Sequence, residues 1–167
     1  YAEPLLAFLD RENDWLPDYA LFMALHDHYG DLPVAQWPAD VRSRGECSMA
    51  KYSRLLADDS AYHAFVQLLF FRQWERIKPY AMRGISIIGD LPIYVSADSA
   101  EVWAHPELFL LNPDLTPSAV AGVPPDAFSA TGQHWGNPLY AWERHRASGY
   151  AWWRRRGAHM ARLYDVV

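Results

Sequence analysis

The amino-acid sequence predicts an α/β fold, part of an α/β barrel carrying helical insertions. Two stretches predict it. A long helical region ends at Gly84 and gives way to Ile85-Ser86-Ile87-Ile88, a β-branched run too short for a helix, closed by Gly89 and the carboxylate of Asp90. Helix, glycine, buried strand and a carboxylate at the strand's C-terminal end form the repeating unit of such barrels, and that end faces their active sites. The second stretch, Leu163-Tyr164-Asp165-Val166-Val167, follows another helical region and reads as the start of a further buried strand.

The elements follow in order. Asn13-Asp14-Trp15-Leu16-Pro17-Asp18 carries helix-start residues, so a helix is expected through Tyr19 to Tyr29 with Gly30 as its stop. Ala20 to Leu25 make it apolar nearly all round, which implies burial on several sides. His26 and His28 fall in its last turn, facing the negative end of the helix dipole; two residues apart, they share no face and make no metal pair. Residues 31–46 connect, with Pro33 and Pro38, and Ser48 is expected to open a short helix reaching Leu56. Asp58, Asp59 and Ser60 then read as caps for a long helix containing Phe65, Leu68, Leu69 and Phe70 and extending toward Met82. Pro79 deletes the bond to the Glu75 carbonyl and is expected to kink that helix or end it near Ile77.

Beyond the strand expected over 85–95, Asp98-Ser99-Ala100-Glu101 has capping-box spacing ahead of Val102 and Trp103. Residues 112–140 show no period but carry Pro113, Pro117, Pro124, Pro125, Pro138, Gly122, Gly132 and Gly136. A loop that long, and that rich in Val, Phe, Trp and Tyr, is expected to be ordered and folded over a cleft. A helix over 150–164 follows, with Trp152 and Trp153 turned inward and Arg154-Arg155-Arg156 solvated.

Composition excludes several classes of function. At 167 residues and 51% hydrophobic the chain can bury a core of its own. A net charge of −5, with both signs mixed along the chain, gives no electrostatic footprint for a phosphate backbone, so nucleic acid is excluded as a partner. The single cysteine, Cys47, offers neither a disulfide nor metal-ligand spacing, and no metal or other cofactor is expected. No apolar run approaches the ~18 residues of a bilayer span and no leader pattern opens the chain, so a cytoplasmic protein without a membrane partner is expected. Gly84 and Gly89 do not form a dinucleotide fingerprint, and Ser129 lacks a nucleophile-elbow setting. The 15% aromatic content, with eight Trp and twelve Pro partly gathered in one polar loop, needs a reason. Pyranose rings have apolar faces that lie well on indole and hydroxyls that need nearby amides and carboxylates, so this mixture suits a glucan.

Three runs are more specific. Gly89-Asp90-Leu91-Pro92-Ile93-Tyr94-Val95 with Asp98-Ser99-Ala100-Glu101-Val102-Trp103 closely resembles the third-strand region of amylomaltases, the disproportionating 4-α-glucanotransferases of glycoside hydrolase family 77. The run from Ala121-Gly122-Val123-Pro124-Pro125-Asp126 to Gly136-Asn137-Pro138-Leu139-Tyr140 resembles that family's loop over the donor and acceptor sites. Asn13 to Phe22 and Phe70-Phe71-Arg72-Gln73-Trp74 match as well, and 31–60 matches least.

The resemblance implies a (β/α)₈ TIM barrel with helical insertions, truncated before the nucleophile-bearing strand. In these terms 1–84 is mainly helical insertion and barrel helix, 85–95 a barrel strand, 112–140 the substrate-covering loop and 150–164 a helix. It also implies a retaining double displacement on α-1,4-glucans in maltodextrin, starch or glycogen metabolism, which needs two carboxyl groups about 5 Å apart. Neither is expected within this chain, so no catalytic residue is assigned and the chain alone is expected to be inactive. By resemblance, Asp90, Asp126, Phe128, Gln133, Trp135 and Asn137 are substrate-binding, with maltooligosaccharides or other α-glucans as partners. Ala127 departs from the family, where many members carry an aromatic, and His134 is assigned no role. An incomplete barrel leaves sheet edges open, so self-association is expected. Two alternatives stay open: a non-catalytic glucan-binding module and a helical interaction domain.

Overall fold

The computed structural model describes residues 2–167, so Tyr1 lies outside it. Twelve elements follow one another: α1 (Ala2–Arg11), α2 (Leu16–His28), a 3₁₀ turn at Val34–Gln36, α3 (Ala39–Arg42), α4 (Glu46–Leu55), α5 (Ala57–Ala81), α6 (Ala100–Ala104), a 3₁₀ turn at Pro106–Leu108, β1 (Val120–Val123), β2 (Gln133–Pro138), α7 (Trp142–Ala147) and α8 (Ala151–Leu163). Helix dominates, and β1 and β2 form a two-stranded antiparallel ribbon.

α2 is the organising element. Its two apolar faces enter different cores: Leu16 and Ala20 pack with Phe8, Leu68, Phe71 and Leu163, while Phe22 and Leu25 pack with Trp37, Val41, Tyr52 and Trp103. This is the burial on several sides that an all-round apolar helix requires. α5 offers Ala64, Leu68 and Phe71, spaced to share one helical face, and buries them against α1 and α2. The end of α8 docks on α5, where Trp74 Nε1 donates to Leu163 O at 3.0 Å and Lys78 Nζ to Arg162 O at 3.0 Å. Two carbonyls that the helix cannot satisfy itself are thereby bonded, and a cation sits at the negative end of its dipole.

One buried carboxylate ties these helices together. Glu12, 1% exposed, accepts from Trp15 Nε1 (2.9 Å), Arg162 Nη2 (2.6 Å) and Arg11 Nε (3.0 Å). Burial alone pushes its carboxyl up, but the three donors outweigh burial and hold it below the usual range.

Several expectations need correction. α1 gives no start signal in the sequence beyond an acidic first turn, and it was not anticipated. Asp58, Asp59 and Ser60 lie inside the first turn of α5, whose N-cap is Leu56. α5 runs through Pro79 to Ala81 rather than ending near Ile77, because one missing hydrogen bond close to a helix end is outweighed by packing upstream. The N-cap of α6 is Ser99, whose Oγ accepts from Val102 N at 3.3 Å. Glu101 does not close a capping box; it accepts from Trp152 Nε1 at 2.7 Å and joins α6 to α8.

The largest difference concerns 85–95. In place of a buried strand the structure has an extended segment with a single parallel bridge, Ile88 to Val166. Ile85, Ile88 and Ile93 are exposed, 68 to 75% of their surface open. The cause is geometric: among the described residues 85–90 pair only with 165–166, so their other edge and one face meet no packing layer. Residues 112–140 differ in the other direction, since the expected irregular loop contains the β1–β2 ribbon, with a bulge between Val120 and Gly122.

Candidate functional site

The floor of the site is the pair of extended segments. Gly89 N donates to Val166 O (2.8 Å), Asp165 N donates to Ile87 O (2.9 Å), and Asp165 Oδ2 accepts from Ile87 N (2.9 Å). Gly89 is required by contact, since a Cβ there would stand 2.1 Å from the Tyr164 ring. Asp90 follows at the exposed tip of this pair.

The ribbon forms the cover. Its register pairs Val123 with Gln133 and Gly122 with His134, and residues 124–132 make the connecting turn. Asp126 builds that turn: its Oδ1 accepts from Phe128 N and Ser129 N, both at 2.8 Å, and its N donates to Ser129 O at 3.0 Å. Ser129 Oγ donates to Gly132 O (2.8 Å). Gly132 has φ +73°, and a Cβ on it would meet Val123 O at 2.6 Å, so only glycine closes the turn without strain. Phe128 is thrust outward, 96% exposed. On β2, Trp135 is 47% exposed and its Nε1 donates to Gln133 Oε1 at 3.1 Å, which orients both side chains together.

The base of the ribbon docks just beyond Asp90. Asn137 Nδ2 donates to Val95 O (2.8 Å), Tyr140 Oη donates to Ile93 O (2.6 Å), and the Trp135 ring meets Tyr94 edge-on at 6.0 Å. Tyr140 stacks on Tyr94 in turn, and burial pushes its phenol up despite the nearby Arg156 guanidinium. The structure thus places Phe128, Gln133, Trp135 and Asn137 on one ribbon that rests on the strand-tip segment following Asp90. No contact links Asp90 to any of the other five. Asp126 and Asn137 each have a structural partner: one carboxylate oxygen of the former closes the turn, and the amide of the latter anchors the ribbon.

Sequence reasoning passed over Tyr94, Tyr140 and the carbonyls of Ile93 and Val95. Tyr140 follows Pro138 where the chain leaves the ribbon, an aromatic at a re-entry point, and that was its only signal. The carbonyls have none, because backbone acceptors are chosen by the fold.

A cavity of about 490 Å³ lies elsewhere, between α2, α6 and α8, lined by Trp15, Tyr19, Phe22, Leu91, Pro92 and Trp152 among others. None of the six candidate residues lines it. The cavity and the ribbon are thus separate surfaces of the chain. Among the described residues, no group of three or more His, Cys, Asp or Glu could hold a metal, and no helix is long and apolar enough to cross a membrane.

Comparison with known proteins decides the family. The model of the Glyco_hydro_77 family, described as 4-alpha-glucanotransferase, matches residues 2–167. The chain belongs to this family. It is 51% identical over 166 residues to the 4-alpha-glucanotransferase of Thermus thermophilus, covering 99% of this chain and 33% of the relative. Against the Aquifex aeolicus 4-alpha-glucanotransferase it is 48% identical over 166 residues, covering 99% and 34%. Among solved structures, amylomaltase from Streptococcus agalactiae in complex with acarbose superposes with a TM-score of 0.94 at 44% identity, covering 98% of this chain and 33% of that one. The chain therefore spans about a third of the length of the 4-α-glucanotransferases it matches, and the resemblance read from its motifs holds.

Proposed function

We propose that the protein to which this chain contributes is a 4-α-glucanotransferase that moves α-1,4-glucan segments between maltooligosaccharides by a retaining double displacement. This chain supplies a glucan-facing wall. In this reading the nucleophile and the acid/base are assigned to none of its residues, and the chain by itself is inactive. The observation that carries the proposal is the docked ribbon: exposed Trp135 and Phe128, with Gln133 and Asp126 beside them, held over the tip of the Asp90 segment by the Asn137 to Val95 bond. Aromatic faces next to amide and carboxylate groups are what a glucan's alternating apolar and hydroxylated surface recognises. Asp90, Asp126, Phe128, Gln133, Trp135 and Asn137 are its proposed sugar contacts. Starch, glycogen or maltodextrin would be the source of the glucan, and the cytoplasm its proposed site of action.

The fold belongs with this reading. The 85–95 segment, a crossover containing α8, and the parallel return at Val166 together make a β-α-β arrangement, the unit of a (β/α)₈ barrel. On the same reading, the exposed Ile85, Ile88, Ile93 and Val166 are positions that further strands cover in the whole barrel. In isolation the chain should self-associate through this edge, and light scattering that shows a monomer at high concentration contradicts that expectation.

Transfer in place of hydrolysis requires water to be kept from the glycosyl-enzyme, and the ribbon is the element placed to do so. In the full-length protein, Trp135→Ala is expected to raise the ratio of hydrolysis to transfer on maltotriose. An unchanged ratio removes the lid from the mechanism. A glucan-binding module is distinguished by maltoheptaose titration of this chain: a module binds tightly alone, and one wall of a cleft binds weakly or not at all.

A further inference from the structure

Residues 92–99 are held from two sides. On the ribbon side Ile93 and Val95 accept from Tyr140 and Asn137, and Tyr94 meets Trp135. On the other side stands Asp98, whose Oδ1 accepts from Val34 N at 2.9 Å and whose Oδ2 lies 3.0 Å from His26 Nε2 at the end of α2. The intervening turn is short and closed by its own bonds, Ser99 Oγ donating to Ser96 O at 2.7 Å and Asp98 N to Ser96 Oγ at 3.2 Å. Asp98 and Val95 are thereby linked through a turn closed by its own hydrogen bonds.

His26 is built for one charge state. Its Nδ1 lies 3.2 Å from Asp31 Oδ1, so both ring nitrogens face carboxylate oxygens, which only accept. A neutral imidazole has one N–H and satisfies one of them; the imidazolium satisfies both. Asp98, ahead of α6, and Asp31, in the turn after α2, are the charged groups facing the ring, and Phe22 and Trp37 give it neutral walls at centroid distances of 5.8 and 6.3 Å. Asp27, on the neighbouring face of α2, is engaged by His63 of α5.

We infer that His26 and Asp98 are positioning residues for the ribbon, their ion pair fixing the 94–99 segment, on which Trp135 rests through Tyr94 and Asn137 through Val95. The consequence for catalysis rests on the glucan-covering reading above; the coupling does not. The hydrogen bond to Asp98, then that to Asp31, hold His26 above the ordinary imidazole range against its partial burial. A pKa raised on folding gives a contribution that is complete below the ordinary imidazole pKa and is lost as pH rises through the raised value. The ribbon should thus loosen on the alkaline side of the His26 transition.

The test is a pH titration of the dilute, ¹⁵N-labelled chain by NMR, following the Asn137 side-chain amide, the Trp135 indole N–H and the His26 ring protons. The Asn137 and Trp135 signals are expected to titrate with the His26 midpoint, and His26→Gln, which keeps a donor for Asp98 but cannot ionise, should abolish their titration. Ribbon signals that stay still while His26 titrates, or that titrate unchanged in His26→Gln, overturn the inference. Should that variant fail to fold, the wild-type midpoints decide alone. Maltoheptaose added on both sides of the transition is expected to shift the ribbon signals several-fold more weakly at high pH. Coincident midpoints uphold the positioning whatever maltoheptaose does, and tight maltoheptaose binding by this chain alone counts against the reading of it as one wall of a cleft.

Discussion

Two carboxylates on this chain are used in opposite ways. Glu12 is buried and accepts from three side chains, one of them Arg162 at the far end of the sequence, so it joins α1, α2 and α8. Asp126 is exposed and turns one oxygen back on the amides of its own loop, Phe128 and Ser129. The first unites distant elements and leaves nothing for a ligand. The second stabilises a local shape and keeps the surrounding aromatic and amide faces open to solvent. The helical body is therefore the part that holds the fold, and the ribbon is the part free to meet a substrate.

Removing side chains from the body is the strongest way to break that contrast. Trp103 is fully buried against Phe22 and Trp37, its Nε1 donates to Val41 O at 3.0 Å, and Arg44 lies over its ring at 4.2 Å. Trp103→Ala is expected to cost about 4 kcal/mol of unfolding free energy, measured by denaturant titration, since it leaves both a cavity and an unpaired carbonyl. Glu12→Gln is the next largest. Arg162 and Arg11, each about half exposed, lose a buried counter-charge, at a cost of about 1 to 2 kcal/mol because water solvates the arginines left behind. The sign with pH is fixed by the depressed Glu12 pKa: its contribution is present above the ordinary carboxylate range and is lost as pH falls through the folded value. The deficit of Glu12→Gln relative to wild type should therefore shrink in acid, and a deficit independent of pH would point to packing rather than charge.

The same contrast decides what could be read from the sequence. α2, α4, α5 and α8 were legible because helical periodicity and glycine stops are local signals, and the apolar run Ala20 to Leu25 even announced two-sided burial. The strand signal at 85–88 was local too, but strand pairing and burial depend on partners elsewhere, and among the described residues the segment pairs only with Asp165 and Val166. The ribbon was hidden because Pro124, Pro125 and the bulge at Ala121 interrupt any alternation. For the candidate site, Trp135, Gln133 and Phe128 were proposed through motif resemblance, and they stand exposed on the ribbon and its turn. The resemblance could not reveal that Asn137 also serves as an anchor, since its acceptor is a main-chain carbonyl 42 positions away.

Asn137 gives the smallest expected effect and the sharpest comparison. Its amide to Val95 O is a neutral, half-buried hydrogen bond, worth about 1 kcal/mol. Were the ribbon part of the cooperative body, Asn137→Ala would lower the global unfolding midpoint in proportion. The ribbon instead touches 93–95 through this bond, the Tyr140 hydroxyl and the Trp135 ring, none of which enters the Glu12 or Trp103 clusters. Asn137→Ala should then leave the global midpoint nearly unchanged while hydrogen exchange over 120–138 accelerates several-fold, as it does when only local opening becomes easier. A fall in the midpoint as large as that of Glu12→Gln would mean that ribbon and body unfold together, and the division between them would have to be abandoned.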